Sequence, residues 1–533
     1  MEATLDRGRT VRKYLAQYTE PEARTAAPFG HRFKHVVVIP AAGEGDRVVK
    51  TLASIPPSAG TGCGNGFGAS GCLVILVVNA RATSTAAHHQ GNSSTFDALG
   101  VRDPGLLTFL RAERWLDRAT SEDALLVVNR AVPGRFLPEK QGVGLARKIG
   151  ADLALAYWAA GFVESNWICC TDADALLPAD YFTRLPEGDL TSSVPLAAVL
   201  FPFAHRVDPD PRAEHRQHAG AQASGANAAE HRERAAIELY ELFLRYQRLG
   251  LLWAGSPYAY HSVGSTISID ARSYAAVRGF PKKMAGEDFY LLNKLAKVGG
   301  IHSLDGDPIV LSGRISDRVP FGTGRAMSQL VPRDFDHESY SFPDPRAFDV
   351  LRIWVDLLER WIHAASTHEL APNRIEETIE ADIRRALPAS VAFWVEREML
   401  RGIADRLAAG GGKAGAGVEG HAARAVHGWF DSFRTMMFLR GLRDRGYPDL
   451  PYTEALRGAK FLAEWAGTGL WRSEIAGRTH TKALESLKRR EAESGTGTFA
   501  RAAGSPRRAL EREWDDQSRS QTSRAAAAPF SES

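Results

Sequence analysis

The sequence predicts an α/β protein built on a doubly wound, mostly parallel sheet, followed by an all-helical C-terminal region and a disordered tail. Short apolar runs alternate with segments of helical period through the first half of the chain, the pattern of βαβ units. After residue 345, apolar side chains recur at helical spacing only. From about residue 473 the chain is rich in Ser, Thr, Ala, Arg and Glu, with few large apolar residues, a composition typical of disorder.

Four apolar runs predict the buried strands of the sheet. Each consists almost wholly of aliphatic residues and cysteine, as expected for strands covered on both faces. Between the third and the fourth, apolar residues recur at helical spacing over 144–162. Parallel strands joined by such helices place their carboxyl ends, and with them any ligand site, along one edge of the sheet. The four runs lie at 35–40, 73–78, 124–128 and 167–170.

The composition of the chain changes at several points that predict domain boundaries. Beyond the four strands, the spacing predicts a helix, a strand and a second helix at about 235–249, 262–269 and 286–298. A Pro/Asp-rich stretch at 332–345 indicates a linker. The predicted parts are an N-terminal extension at 1–34, a sheet domain at 35–331 with a polar surface insertion at about 204–234, a helical domain at 346–470 and a tail at 473–533.

Composition excludes several classes of function. The 66 Lys and Arg residues nearly balance the 63 Asp and Glu residues, for a net charge of +3, so the chain lacks the basic field of a nucleic-acid-binding protein. The four cysteines form no C-x-x-C pair and imply neither a zinc site nor a disulfide framework. Residues 1–30 lack the apolar core of a secretory signal, and no segment reaches the roughly 18 apolar residues of a membrane span. We expect a cytoplasmic protein with no transmembrane segment, and its oligomeric state is left open.

Asp172 and Asp174 follow directly after the fourth apolar run, as Thr-Asp-Ala-Asp at 171–174. Two carboxylates at the open end of a buried strand suit Mg²⁺ or Mn²⁺, hard cations that bind phosphates together with one or two acidic side chains. An isolated pair of this kind is more often part of a solvated loop. The interpretation therefore depends on the surrounding motifs.

The motifs around this pair resemble, in order, those of the GT-A fold, family 2-like glycosyltransferases. They are the Pro-Ala-Ala-Gly-Glu turn at 40–44, Asn79 at the end of the second strand, Ala-Arg-Lys-Ile-Gly at 146–150, the acidic pair itself, Arg-Gly-Phe at 278–280 and Gly-Glu-Asp at 286–288. The resemblance covers about residues 35–312. Because several motifs occur together in the right order, the acidic pair is a far more specific signal than it is alone.

The resemblance implies a nucleotide-sugar donor held at the carboxyl ends of the first strands, and an acceptor that the sequence does not identify. Asp174, with Asp172 as a second ligand, would hold a divalent cation, Mn²⁺ or Mg²⁺, on the donor diphosphate. Such a cation offsets the charge that develops on the leaving group. The donor-binding residues that the resemblance implies are Pro40, Ala41, Glu44, Asn79, Arg147 and Asp172.

Glu287 and Asp288 match the element that supplies the catalytic base in this family, with Asp288 the first candidate and Glu287 the second. A carboxylate at a helix start facing a cleft can take the proton from an acceptor hydroxyl as that hydroxyl attacks the sugar, and an inverting transfer is expected. The alternative is that both acids only cap the helix, a position that the helix dipole favours. One side chain can serve both purposes.

A Gly/Arg-rich stretch at 312–325 contains Arg314, Arg318 and Arg325. Guanidinium groups suit phosphate oxygens, so Arg314 and Arg318 are predicted to clamp the donor diphosphate. An ordinary solvated basic loop is the equally weighted alternative. The aromatic stretch at 253–261 suits either a sugar face or the core, and for His261 the core is favoured.

The chain departs from the family pattern at several positions, and these leave the nucleotide base open. Asn79 stands where an Asp is usual, Ala42 where an aromatic residue is common and Lys148 where an Asn is expected. The strand near 308–312 lacks the late His that many relatives use as a metal ligand, which leaves His302 as a distant candidate. The Gln-x-x-Arg-Trp signature of processive membrane synthases is missing, which argues against a polymerising synthase.

Two other functions remain open beside metal-dependent sugar transfer. A nucleotidyltransferase uses a similar sheet and metal site, but that class usually carries a Gly-x-Gly-Thr-Arg-like loop after the first strand, and residues 41–46 lack the Thr-Arg. A non-catalytic scaffold would retain the sheet and bind partners through its helices and its basic tail.

Overall fold

Eight strands form one central sheet in the computed structural model of this chain. The structure describes residues 2–25, 30–58, 71–111, 123–187, 195–207, 223–316, 322–332, 335–410 and 418–464, together with 484, 485, 487, 488 and 491. Among the described residues, four further strands form two separate pairs, β7 with β10 and β11 with β12. The twelve strands are β1 (His35–Ala41), β2 (Cys72–Asn79), β3 (Leu107–Arg111), β4 (Ala124–Arg130), β5 (Trp167–Cys170), β6 (Leu196–Leu200), β7 (Phe203–Arg206), β8 (Ile267–Asp270), β9 (Gly300–Ser303), β10 (Ile309–Ser312), β11 (Ser341–Phe342) and β12 (Leu450–Pro451).

The order across the sheet is β3-β4-β2-β1-β5-β8-β6-β9. β1 runs parallel to β2 and β5, β2 runs parallel to β4, and β6 runs parallel to β9. β3 is antiparallel to β4, and β8 is antiparallel to both of its neighbours. The four predicted strands are confirmed as β1, β2, β4 and β5, and these four are parallel. The reversed β3 and β8 make the complete sheet mixed.

Both faces of the sheet are covered, because successive side chains of each strand enter different cores. Val36 and Val38 pack into one core, whereas Val37 and Ile39 pack into the other. Successive residues of a strand point to opposite faces, so a strand buried on both faces needs an unbroken apolar run. This requirement explains why the sequence signals of β1 and β2 are so clear.

The helices contribute to two further cores beside those of the sheet, and one of these cores joins helices from the first part of the chain to C-terminal helices. Helices α1 to α9 precede residue 345 and α10 to α16 follow from there; among the described residues of the predicted helical region, 346–470, every element except β12 is helical, as predicted. The helices are α1 (Glu2–Gln17), α2 (Pro21–Arg24), α3 (Arg47–Ser54), α4 (Ala86–Ala98), α5 (Val143–Ala159), α6 (Ala223–Trp253), α7 (Ala271–Ala276), α8 (Glu287–Leu295), α9 (Thr323–Leu330), α10 (Pro345–Ser366), α11 (Ile375–Ala386), α12 (Ala389–Gly410), α13 (Val418–Trp429), α14 (Ser432–Arg443), α15 (Tyr452–Gly458) and α16 (Lys460–Glu464).

The N-terminal residues, predicted to be an extension, are packed onto the sheet domain. Tyr14 of α1 is buried and donates its hydroxyl to Asp152 of α5 at 2.6 Å. Lys148 donates to the same carboxylate at 2.9 Å, and Tyr274 of α7 donates to it at 2.8 Å. A fully buried carboxylate needs such partners to offset its lost hydration, and α1 supplies one of them.

Two segments differ from the predicted insertion and linker because they pair with distant parts of the chain. His205 and Arg206, inside the predicted insertion, belong to β7, which runs parallel to β10. Helix α6 already begins at Ala223, and residues 208–222 lie outside the described part. Within the predicted linker, Phe342 is fully buried and pairs with Leu450 across β11 and β12. Neither pairing has a local sequence signal.

The predicted disordered tail is ordered at its five described positions. Leu484 and Leu487 are buried in the same core as α6. The carboxylate of Glu491 is buried and contacts Arg245, Arg248 and His261. Burial alone raises the pKa of a carboxyl, but His261 and Arg245 outweigh that effect and lower the pKa of Glu491 to about 2. The sequence did not predict the contacts of Glu491, because a charged residue of a buried ion cluster cannot be distinguished in sequence from one in a solvated charged segment.

Across the described residues, no helix combines the length and the apolar character that crossing a bilayer requires. These residues all belong to one compact unit that spans Met1–Thr496.

Candidate functional site

A cavity of about 730 Å³ opens beyond the carboxyl ends of β1, β2 and β5, where a doubly wound sheet binds its ligands. Acidic and basic side chains from segments far apart in sequence line this cavity together. Of the residues singled out from the sequence, those that line it are Pro40, Glu44, Asn79, Arg147, Asp172, Asp174, Glu287, Asp288 and Arg314.

Two predicted residues, Ala41 and His302, are not among those that line the cavity. Ala41 is buried in β1, and its carbonyl oxygen accepts the side-chain amide of Asn79 at 2.9 Å; the next residue, Ala42, lines the cavity. Arg318 lies outside the described residues. His302 is on β9 at the far edge of the sheet, so its separation from Asp174 along the strand order argues against a shared metal site.

Arg147 connects the two acidic motifs. Its Nε donates to Glu287 at 2.8 Å, and its Nη2 donates to Asp172. Arg147 is only 2% exposed, and a Cβ at Gly264 would lie 2.6 Å from its Nη2, so the backbone there closes over the guanidinium. Arg147 therefore sets the positions of two acids in the cavity wall.

Burial and neighbouring charge shift the pKa values of Arg147, Glu287 and Asp288. Burial would lower the pKa of Arg147, but Asp172 and Glu287 outweigh it and raise that pKa further above its usual range. Burial and the adjacent Asp288 charge raise the pKa of Glu287 to about 7. Burial also raises the pKa of Asp288. A catalytic acid or base works best with a pKa near the operating pH.

Helix α8 presents Glu287 and Asp288 without using either as its N-cap. The cap position is Gly286, whose φ of 72° is left-handed, and no side chain caps the helix there. Asp288 Oδ1 accepts the N–H of Phe289 at 2.7 Å, so it does stabilise the first turn. The capping alternative is thus wrong for the N-cap itself, and Asp288 combines a first-turn contact with a place in the cavity wall.

Arg314 contacts two acids from different motifs, Glu44 in the turn after β1 and Asp174 after β5. Its Nη2 lies 2.9 Å from Asp174 and also pairs with Glu44. Asp172, in contrast, accepts from Arg147 and from the hydroxyl of Ser265. The two carboxylates of the Asp-x-Asp motif therefore have different partners, one facing a loop arginine and the other a buried arginine.

These contacts bear on whether the residues fit a divalent cation. No group of three or more His, Cys, Asp or Glu side chains that could hold a metal occurs in the described part of the chain. Mg²⁺ is commonly bound by one or two carboxylates plus substrate phosphates and water. Asp174 meets that requirement if Arg314 moves or shares the site, whereas Asp172 is already engaged with Arg147 and Ser265. The carboxylates of this pair therefore fit a cation only where a diphosphate supplies further oxygen ligands.

The turn after β1 is held by helix α4. Gly43 adopts a φ of 69°, and its N–H donates to Asn92 Oδ1 at 2.8 Å. Asn92 Nδ2 donates in turn to the carbonyl of Asn79 at 2.9 Å. A Cβ at Gly91 would lie 2.8 Å from the Gly43 backbone, so α4 and the turn touch directly. These bonds fix the ends of β1 and β2 side by side.

The aromatic stretch at 253–261 does not contribute a sugar-stacking surface. Trp253 donates its Nε1 to Asp349 at 2.8 Å, and the hydroxyl of Tyr258 donates to the carbonyl of His427 at 2.6 Å. His261 contacts Glu491, as its favoured interpretation as a packed residue predicts. Ser262–Ser265, the residues that follow, line the cavity instead.

Several cavity residues could not be found from the sequence. Tyr240 and Leu244 come from α6, and Phe433 and Met436 come from α14. Each looks like an ordinary apolar member of an amphipathic helix, and nothing local separates it from a core residue.

Comparisons with known proteins give no family. No family model matches the chain, and no curated protein matches it. Among solved structures, S. aureus TarS 1–349 is 10% identical over 76% of this chain and 92% of that chain, with a TM-score of 0.30. S. aureus TarS 1–349 in complex with UDP-GlcNAc is 12% identical over 88% of this chain and 93% of that chain, with a TM-score of 0.32. S. aureus TarS is 12% identical over 68% of this chain and 53% of that chain, with a TM-score of 0.31. The case for a function therefore rests on the site itself.

Proposed function

We propose that this protein is a GT-A-like glycosyltransferase that moves a sugar from a nucleotide-sugar donor to an acceptor hydroxyl. One observation carries the proposal: acids from two separate motifs, Asp172 and Asp174 after β5 and Glu287 and Asp288 at the start of α8, line one cavity at the carboxyl edge of the sheet. Sugar transfer needs both a place for a diphosphate and a base for the acceptor, and the two motifs supply these separately.

The proposed reaction is a single displacement with inversion. The acceptor oxygen forms a bond to the anomeric carbon while the bond from that carbon to the diphosphate oxygen breaks, and its electron pair leaves with the nucleoside diphosphate. The acceptor proton passes to Asp288. Glu287 is the second candidate, but its Oε1 already accepts from Arg147 at 2.8 Å. A positioned base of this kind contributes about 10²–10⁴-fold to rate.

The donor would lie along the polar side of the cavity. Pro40, Ala42 and Asn79 are placed to flank the nucleoside, and Arg314 is placed to pair with the diphosphate, for which a guanidinium is well suited. Asp174 would hold a divalent cation, Mn²⁺ or Mg²⁺, together with the donor phosphates. When bound, such a cation supplies Lewis-acid stabilisation of the leaving group. Arg314 would then exchange its contact with Asp174 for one with a phosphate.

The test is to incubate the full chain with a panel of nucleoside diphosphate sugars, with and without Mn²⁺, and to identify the products. Free sugar with nucleoside diphosphate supports a transferase using water as acceptor. A second incubation contains a nucleoside triphosphate and a sugar phosphate. Release of pyrophosphate in that incubation would show a nucleotidyltransferase instead. A protein that neither turns over nor gains thermal stability with any of these compounds would be a scaffold, since a ligand of the folded state raises its stability.

A further inference from the structure

Part of the cavity wall is apolar, and some of it comes from the C-terminal helices. Phe433 and Met436 of α14 line the cavity together with Phe289 of α8. Phe433 is 43% exposed and Met436 is 48% exposed. Residues three apart on a helix lie on the same face, so the two side chains form one continuous apolar surface that opens into the cavity.

This surface has a set position relative to the acids, because buried hydrogen bonds join α14 to α8. Asn293 Oδ1 accepts the N–H of Ser432 at 3.0 Å and its hydroxyl at 2.9 Å. Asn293 Nδ2 donates to Asp431 at 3.0 Å, and Lys297 pairs with the same carboxylate at 2.7 Å. Phe433 is the residue directly after Ser432. The helix that carries Asp288 therefore also fixes the start of the apolar surface.

We infer that Phe433, Met436 and Phe289 form an acceptor subsite for an apolar group, so that the acceptor is an alcohol or glycoside whose hydroxyl lies next to a hydrocarbon or aromatic moiety. This inference rests on the proposed function, since it assigns one side of the same cavity. The acceptor would enter along α14 and present its hydroxyl to Asp288.

The chemistry of the two sides of the cavity distinguishes donor from acceptor. The side formed by Glu44, Asn79 and Arg314 is polar and charged, as a nucleoside diphosphate requires. The α14 side offers a phenyl ring and a thioether, which carry no donor or strong acceptor for sugar hydroxyls. Methionine is flexible and polarizable and adapts to apolar ligands of varied shape. Burial of apolar ligand surface there is favourable in proportion to its area.

The test measures binding of three probes to the full chain by calorimetry: methyl, phenyl and n-octyl β-D-glucoside, the last kept below its micelle concentration. We expect the phenyl or the octyl compound to bind at least about tenfold more tightly than the methyl compound. A preference for octyl would indicate a hydrocarbon group on the acceptor, and a preference for phenyl an aromatic one. Equal affinity for all three would overturn the inference.

Variants locate the subsite. Phe433→Ala and Met436→Ala should each reduce the preference for the apolar probe severalfold. Phe393→Ala is the control, because Phe393 is 67% exposed on α12 and is not among the cavity-lining residues. An equal loss in all three variants would show general adsorption and overturn the inference. Melting curves show whether each variant folds. If only one of the two test variants folds, that variant is sufficient to test the subsite.

Donor hydrolysis by the unmodified chain separates this inference from the proposed function. Hydrolysis of a nucleoside diphosphate sugar together with equal binding of the three glucosides would remove the apolar subsite and leave the transferase standing. Selective binding of the apolar glucosides without any hydrolysis or binding of donor would remove the transferase, and with it the assignment of this surface to an acceptor.

Discussion

Arg147 donates its Nε to Glu287 at 2.8 Å and is only 2% exposed. The same guanidinium reaches Asp172 through Nη2. One buried side chain therefore connects the end of β5 to the start of α8, and the two acidic motifs keep a fixed relation to each other even before any ligand binds. This connection makes stability and function depend on the same residue.

Replacing Arg147 with Met should destabilise the protein by about 3–5 kcal/mol, because Glu287 would remain buried without its counter-charge. Chemical denaturation measures the loss. The control is Arg374→Met, which breaks an exposed pair with Glu377 and should cost no more than about 1 kcal/mol. Similar losses in the two variants would show that the Arg147 contacts contribute little to stability.

Asp174→Ala should abolish the increase in donor affinity that Mn²⁺ produces, because Asp174 is the carboxylate proposed to share a cation with the diphosphate. Calorimetric titration of a nucleoside diphosphate, with and without Mn²⁺, measures the effect. Asp305→Ala is the control, since Asp305 is exposed and contacts Arg184 through its backbone carbonyl. Undiminished Mn²⁺-dependent binding in the Asp174 variant would contradict the metal assignment.

Asp288→Asn should lower the transfer rate by about 10² or more while folding and donor affinity survive. The amide oxygen can still accept the N–H of Phe289, so the first turn of α8 keeps its contact, but the proton acceptor is lost. Turnover and melting temperature are compared with those of Glu287→Gln. If transfer persists in the Asp288 variant and collapses in the Glu287 variant, the base is Glu287. Persistence in both variants would argue against an inverting transferase.

The pH dependence of stability should report the raised pKa of Glu287. Burial and the charge of Asp288 raise this pKa to about 7, so folded Glu287 holds its proton more strongly than the unfolded chain does. The free energy of unfolding that this group contributes must then fall as pH rises from the ordinary glutamate range to about 7.

Glu287→Gln removes this titration, and its stability relative to the wild type should rise between about pH 5 and pH 8. Loss of the ion pair with Arg147 adds a constant offset in stability to the variant, and the other titrating groups are common to both proteins. The diagnostic quantity is therefore the slope of the stability difference with pH. Melting temperatures across this range measure it. Parallel curves for the two proteins would show that the carboxyl titrates normally.

Truncation after residue 472 should destabilise the protein, whereas truncation after Thr496 should not. The shorter chain loses the buried Leu484 and Leu487 and leaves Arg245 without Glu491, its partner in a buried ion pair. Arg245 keeps its ion pair with Glu241, so the loss, of about a few kcal/mol, comes mainly from the exposed apolar surface and from the missing second carboxylate. Equal melting temperatures for the two truncated chains would mean that the segment at 484–491 does not dock in solution.

Local sequence was sufficient for the elements whose burial is complete. β1, β2, β4 and β5 lie with neighbours on both faces, so almost every residue must be apolar, and the resulting runs stand out. The position of Asp172 and Asp174 follows from the same rule, because the ends of parallel strands meet at one edge. The placement of Glu287 and Asp288 in that cavity was expected from a family resemblance and not from the residues alone.

The sequence by itself thus determined the four buried parallel strands of the sheet and the acids that follow β5. Only the tertiary structure decided that Tyr14 completes a buried carboxylate site, that Phe433 and Met436 form a cavity wall, and that Glu491 docks against α6. Each of these contacts joins residues far apart in the chain. Periodicity reports how one segment is exposed to solvent, but it carries no information about which distant segment covers it, because any apolar or oppositely charged partner satisfies the same local pattern.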